Sequence, residues 1–158
     1  MKKLLFAFVA AVMFCACNSE REYLDYRGLS MGMSAKNMCD SFIARGFAID
    51  SVLSDSGRTY SLTSPQVAYR ISIFYANDTI SDIIESYTAS YNDSTSQLWQ
   101  HMRDSIYDLQ GRQPLMAHRA DLHKEAIFQT DAGTINVKLL NTYSPTFEIR
   151  YSTDIVEY

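Results

Sequence analysis

The chain has 158 residues, 14 basic and 18 acidic, for a net charge of −4. This balance lacks the basic footprint that nucleic-acid binding requires, and it lacks the polybasic cluster that docks a protein on anionic lipid. Almost half of the residues are apolar (47%), and 11 are tyrosines against one tryptophan.

Lys2 and Lys3 precede an apolar run of 11 residues, Leu4 to Phe14. A bilayer core takes roughly 20 residues, so this run reads as the hydrophobic part of a signal peptide behind its positive start. Phe14-Cys15-Ala16-Cys17 follows. It resembles a bacterial lipobox, in which the signal is cut before a cysteine whose thiol is then acylated. The small Ala16 selects Cys17 over Cys15, which follows the bulky Phe14. Residues 1–16 are thus expected to be a lipoprotein signal peptide and Cys17 the lipidation site. The alternative is an ordinary secretory signal cut nearby. Two or more acyl chains hold a protein stably where one does so marginally, so the expected topology is tethered and not spanning. Cleavage leaves 142 residues at a charge of about −6. That length supports one domain burying roughly 68–70% of its unfolded surface. Residues 17–27 read as a polar tether leading into an extended strand or coil, and residues 28–158 as a single domain.

The domain opens on Gly28-Leu29-Ser30-Met31-Gly32. This matches the Gly-x-Ser-x-Gly nucleophile elbow in letters, but it stands before any strand–helix unit that such an elbow needs. It reads as a lead-in to a helix. Ser34 is the N-cap, with a hydroxyl placed to accept a free N–H of the first turn. Ala35, Met38, Cys39, Phe42 and Ile43 then draw one apolar stripe, and Gly46 ends the helix. Cys39, on that stripe, reads as a buried free thiol. Ala48 to Leu53 is predicted as a strand, Ser54 to Gly57 as a turn, and Arg58 to Thr63 as a second strand. After Ser64-Pro65, Val67, Tyr69, Ile71, Ile73 and Tyr75 alternate with smaller or polar residues, the pattern of a strand with one buried face. Ala76-Asn77-Asp78 turns the chain into a partner strand, Thr79 to Tyr91. There Ile83-Ile84 puts apolar side chains on both faces and suggests a bulge or a central position.

Ser94 to Gln97 has the form of a capping box. Leu98, Met102, Ile106 and Leu109, with Trp99 beside them, form the apolar stripe of a second helix that Gly111 ends. Three or four further strands are predicted over Pro114–Leu122, Lys124–Thr130, Ile135–Leu139 and Phe147–Tyr151. The fold class is therefore α+β: two helices packed on antiparallel sheet, in a tandem α-β-β-β(-β) repeat with halves 28–91 and 92–158. Both helices are expected on one face of one sheet or of two joined sheets.

Gly32-Met33-Ser34 opening a short amphipathic helix, followed by Gly46 and antiparallel strands, resembles the helix start of the β-lactamase inhibitory protein fold. It also resembles that of the small outer-membrane assembly lipoproteins. The resemblance implies a compact α+β unit that works by protein–protein contact. The whole chain is similar in style to small Bacteroides-type cell-envelope lipoproteins.

Candidate chemistry is sparse. The histidines are His101, His118 and His123. His118 and His123, read on one strand, would face opposite sides. His101 and Asp104 are helix neighbours at i, i+3, a surface pair whose plainer reading is two solvated side chains. No catalytic residue, cofactor or metal ligand is assigned. Asp50-Ser51-Val52, Asp78-Thr79-Ile80, Asp93-Ser94-Thr95 and Asp104-Ser105-Ile106 resemble an O-glycosylation sequon of Bacteroides-type envelope proteins. Thr79 and Ser94, in predicted turns, are the accessible candidates, with turn and cap chemistry as the alternative. Among the tyrosines, Tyr69 and Tyr75 belong with the buried set. Tyr87, Tyr91, Tyr143 and Tyr151 are candidates for a binding surface, since tyrosine is enriched at interfaces. The resulting expectation is a lipid-anchored, non-enzymatic envelope protein. Its domain would bind another envelope protein through an open sheet face or edge. The alternative is a small-ligand or glycan-binding module.

Overall fold

The computed structural model describes residues 22–64, 69–88, 92–111, 114, 116–120, 123–141 and 146–154. The expected signal peptide, Cys17, Tyr91 and Tyr143 lie outside them. Core packing begins inside the stretch expected to be tether, because Leu24 and Tyr26 are buried.

Strands β1 (Asp25–Tyr26) and β2 (Leu29–Ser30) form a small hairpin. Arg27 and Gly28 join them, both at positive φ, 53° and 76°. Two successive left-handed residues make a type I′ turn, whose twist matches that of the strands it connects. Glycine adopts that conformation freely, whereas for an arginine it costs about 1–2 kcal/mol. Arg27 must therefore be held there by its contacts.

Helix α1 (Ala35–Ala44) starts and stops as its sequence predicts. The Ser34 hydroxyl accepts from the Asn37 N–H. The turn Asn77-Asp78 supplies the other partners: the Asp78 carbonyl accepts from Ala35 N–H and its carboxylate from Lys36 N–H. At the far end Gly46 N–H donates to Ile43 and Phe47 N–H to Phe42, with Gly46 at φ 93°. This is a Schellman termination. Ala35, Met38, Cys39 and Phe42 are buried. Ile43, the last residue of the expected stripe, is 41% exposed.

Four strands follow: β3 (Ala48–Ile49), β4 (Thr59–Thr63), β5 (Tyr69–Ala76) and β6 (Thr79–Thr88). β3 is much shorter than the predicted strand. Asp50 ends it, because its carboxylate accepts from the N–H groups of both Val52 and Leu53. An Asx turn of this kind competes with the ladder for the backbone. The irregularity expected at Ile83-Ile84 lies slightly earlier. The register shifts between Phe74 and Tyr75, so that Phe74 faces Asp82 and Tyr75 faces Ile80. The extra residue, Ser81, lets Ile80 and Ile83 both point into the core.

Helix α2 (Asn92–Gln110) begins before Ser94, so Ser94 sits within the first turn and not at the cap expected of it. Helix ends move by one or two residues at little cost. Its buried anchors are Trp99 and Ile106. The Trp99 indole N–H donates to the Val137 carbonyl at 3.0 Å. Leu98 and Met102 are partly buried against the core, and Leu109 is 83% exposed. The apolar face is thus rotated from the predicted stripe toward Trp99. Strands β7 (Met116–Ala120), β8 (His123–Thr130), β9 (Gly133–Asn141) and β10 (Thr146–Ser152) complete the domain.

The eight longer-range strands form one sheet in the order β3-β4-β5-β6-β10-β9-β8-β7. Each half is a helix followed by a four-stranded meander. The last strands of the halves, β6 and β10, pair antiparallel at the centre, with Arg150 opposite Ile84. Helix α1 packs on β4 and β5, and α2 on β8, β9 and β10. The side chains beneath them, Leu62, Ile71, Ile73, Ile83, Ile149, Val137, Ala126 and Phe128 among them, make one core. Both helices therefore cover the same face. The β1–β2 hairpin wedges Tyr26 into that core, beside Phe42 of α1 and Tyr151 of β10.

Candidate functional site

The most charged feature of the covered face is a buried carboxylate. Glu85 lies on central strand β6, opposite Ile71 and Ile149, and is 1% exposed. Three donors converge on it. Tyr26 Oη and Arg27 Nε both donate to Oε1 at 2.5 Å, and Tyr87 Oη donates to Oε2 at 2.8 Å. The Arg27 guanidinium reaches further, to the hydroxyls of Tyr69 and Tyr87, and lies over the Tyr69 ring. Arg45, the C-cap of α1, donates to the Arg27 carbonyl. These bonds hold Arg27 in its left-handed conformation. They also direct the carboxylate's acceptor sites to groups of the chain itself, which makes Glu85 a strut between hairpin and sheet.

The tyrosines of this cluster keep their protons unusually well. Burial, then the charge of Glu85, raises the Tyr26 hydroxyl far above its ordinary value of 10, and the same two causes act on Tyr87 and Tyr151. In the unfolded chain all three ionise near pH 10. A raised folded-state value means that the fold binds these protons more tightly. The stability they confer is complete below about pH 10 and is lost as pH rises above it. On alkaline titration, the tyrosinate absorbance of this group should appear together with loss of the far-ultraviolet circular dichroism. Titration of every tyrosine near pH 10 with the dichroism intact would contradict this arrangement.

Of the tyrosines expected at a binding surface, Tyr87 and Tyr151 turn toward the helices, while Tyr91 and Tyr143 lie outside the described residues. Tyr69, Tyr87 and Tyr151 are half-buried on the helix-covered face, with Tyr69 and Tyr87 stacked at 5.1 Å. Tyr75 stacks on Tyr60 and accepts from Gly57 N–H. Tyrosine hydroxyls find partners inside the fold, so the rings serve as core.

The opposite face carries no helix among the described residues. By register it presents Ser61, Arg70, Asp82, Ile84, Ser86, Glu125, Ile127, Gln129, Asn136, Lys138, Glu148 and Arg150. Arg150 pairs with Asp82 at 2.8 Å. Asn136 donates to Glu125 at 2.5 Å.

A third surface lies at the β3 edge. Ile43, Ile49, Val52 and Leu53 are 41%, 47%, 88% and 48% exposed. These four large aliphatics lie within one short stretch of chain, a candidate for the kind of exposed apolar patch that marks an interaction site. β3 is one of the two edge strands of the sheet.

The remaining predicted positions separate from one another. Thr79 is exposed and bridges to Ser34, beside an Asp78 engaged in capping α1. Asp50 likewise performs turn chemistry. Ser30 accepts from Gly32 N–H on the small hairpin, away from any strand-to-helix elbow. His118 and His123 lie on separate strands, β7 and β8, and not on one strand. Asp104 accepts from Arg103. Cys39 is free and buried, and burial pushes its thiol up. Among the described residues no three His, Cys, Asp or Glu side chains form a group that could hold a metal ion. No described helix is long and apolar enough to cross a membrane.

No protein-family model, curated protein or solved structure matches the chain. Its own geometry must carry any functional reading. Glu85 and Arg27 are the residues that local sequence analysis misses. The available signal is a glutamate at an inward position of an otherwise apolar strand, which demands a cationic partner.

Proposed function

We propose that this chain is a membrane-anchored envelope lipoprotein, tethered through acyl chains on Cys17. Its α+β domain is a non-enzymatic interaction module that docks another envelope protein at the β3 edge. The observation that carries the docking reading is the exposed set Ile43, Ile49, Val52 and Leu53. The Asp50 turn supports it. By binding the Val52 and Leu53 N–H groups, Asp50 pre-shapes the loop that displays both side chains, and less ordering entropy is then lost on association. The anchor rests on the lipobox-like Ala16-Cys17 and on the apolar run before it.

The test is cross-linking in intact cells followed by mass spectrometry of the adducts. The native chain is expected to give one dominant protein adduct in the membrane fraction. Val52→Asp with Leu53→Asp should lose that adduct and keep the native melting curve, since exposed substitutions usually change stability by less than about 0.5 kcal/mol. Cys17→Ser should leave the membrane fraction. A full adduct yield from the double variant would remove the β3 edge as the docking surface. Absence of a specific protein adduct would remove the interaction role, and Cys17→Ser staying with the membrane would remove the anchor.

A further inference from the structure

Among the described residues, seven large apolar side chains stand exposed. Four form the β3 edge. The other three, Tyr23, Tyr107 and Leu109, are 42%, 38% and 83% exposed, and the fold brings them to one end of α2. Tyr107 and Leu109 belong to the last turn of that helix. Tyr23 shares a recess of about 300 Å³ with Gln110 of the same turn, and Tyr107 is the i, i+3 neighbour of Gln110 on the helix surface. Leu98, Met102 and Leu109 lie on one stripe of α2. The first two pack against the core, while Leu109 stands in water. One such leucine is unexceptional. Beside two exposed tyrosine rings it makes an amphipathic patch.

The position of this patch in the chain selects its occupant. The acylation of Cys17 proposed above, on which this inference rests, puts lipid five residues before Glu22. Five residues span at most about 18 Å. Tyr23 follows Glu22 directly, so the domain is tied to the bilayer next to the patch. The β3 edge has no such tie. It lies four strand spacings, about 19 Å, from β10, the first strand that α2 covers.

The side chains suit a lipid neighbour. Tyrosine is enriched at membrane–water interfaces, because its ring is apolar and its hydroxyl reaches the headgroups. A leucine beside it can enter the boundary between headgroups and acyl chains. Charge narrows the lipid. Glu22, Asp25 and Asp131 line the same recess, and no described residue lining it is a lysine or arginine. An anionic leaflet repels such a surface, whereas a zwitterionic headgroup presents an ammonium to it. We propose that Tyr23, Tyr107 and Leu109 seat the domain on the zwitterionic surface of the bilayer that holds its anchor. The seat orients the domain and leaves the β3 edge clear for its partner.

The experiment is hydroxyl-radical footprinting of the acylated chain, purified from membranes and reconstituted into vesicles of phosphatidylethanolamine and phosphatidylcholine. Flotation with the vesicles reports the anchor separately. The reference is the lipid-free mature chain in solution, residues 17–158 with Cys17→Ser. Oxidation of Tyr23, Tyr107 and Leu109 is expected to fall several-fold on the vesicles, with Val52 and Leu53 unchanged. Added phosphatidylglycerol should weaken the protection. Leu109→Asp should restore the oxidation of Tyr23 and Tyr107, yet still float and keep the native melting curve, because its site is exposed. A chain that floats while the three residues oxidise as they do in solution keeps its anchor and overturns the seat. A chain that does not float overturns both. Protection that vanishes as the chain is diluted in lipid would assign the patch to a second copy and overturn the proposal. Protection that grows with phosphatidylglycerol would overturn it as well.

Discussion

Met38→Asp is expected to abolish the cooperative thermal transition of this domain. Met38 is fully buried on α1, within the same core as Phe42, Leu62 and Ile71. A carboxylate there is either an unpaired buried charge or a neutralised acid in a cavity shaped for a thioether. Substitutions of this kind cost about 4–5 kcal/mol or more, against a total stability of about 5–15 kcal/mol. The corresponding change on α2 separates the structure from the sequence pattern. Leu98 heads the predicted stripe, yet it is only half-buried, so Leu98→Asp should cost far less than Met38→Asp. Trp99→Ala, which empties a buried site and orphans the Val137 carbonyl bond, should cost about 3–5 kcal/mol. Melting curves followed by circular dichroism give all three. A native transition in Met38→Asp, or a Leu98→Asp effect equal to that of Trp99→Ala, would refute the packing described.

Glu85→Ala is expected to lower stability by about 3–5 kcal/mol, the usual cost of removing one partner of a buried ion pair. Three donors lose their acceptor at once: Tyr26, Tyr87 and the Arg27 guanidinium. Arg27 is partly exposed, with 39% of its side chain in contact with solvent against 2% for Glu85. It can therefore rehydrate, and the tyrosines bear most of the loss. For a domain of this size the midpoint of melting should fall by roughly 10–20 °C. The paired test is Arg27→Gly, which orphans Glu85 but relieves the left-handed strain of the turn. It should cost less than Glu85→Ala. The double variant should be far less destabilised than the sum of the singles, because each single removes the same interaction. Additive effects in that cycle would mean that Arg27 and Glu85 do not interact in solution.

The positions of these two results in the chain show how differently the two interactions are encoded. Met38 is visible in sequence because a helix repeats every 3.6 residues, so its apolar stripe and its Ser34 and Gly46 ends lie within a few turns of each other. The hairpins are visible for the same reason. Alternation along Tyr69–Ala76 and the turn residues Asn77-Asp78 are local signals, and they predicted the α+β class and the repeated order of elements. Glu85 and Arg27 are 58 residues apart, and no periodicity relates them. The rotation of α2 toward Trp99 is likewise set by the surface it meets, β8 to β10, and not by its own pattern. Tyr87 went to the covered face because a residue that suits interfaces equally suits a half-buried strand once its hydroxyl finds a partner, here Glu85.

By itself, then, the sequence determined the local elements, their boundaries to within a few residues, and the lipobox-like start that motivates a membrane tether. Backbone capping, turn conformations and amphipathic periodicity act over short distances and need no knowledge of the rest of the chain. Tertiary structure alone decided three other matters. It joined the two meanders through β6 and β10 into one sheet, it gave Glu85 its cation, and it placed Asn136 and Arg150 side by side on the helix-free face. Each depends on pairing between residues far apart in sequence, where register and burial are settled only when the whole core closes.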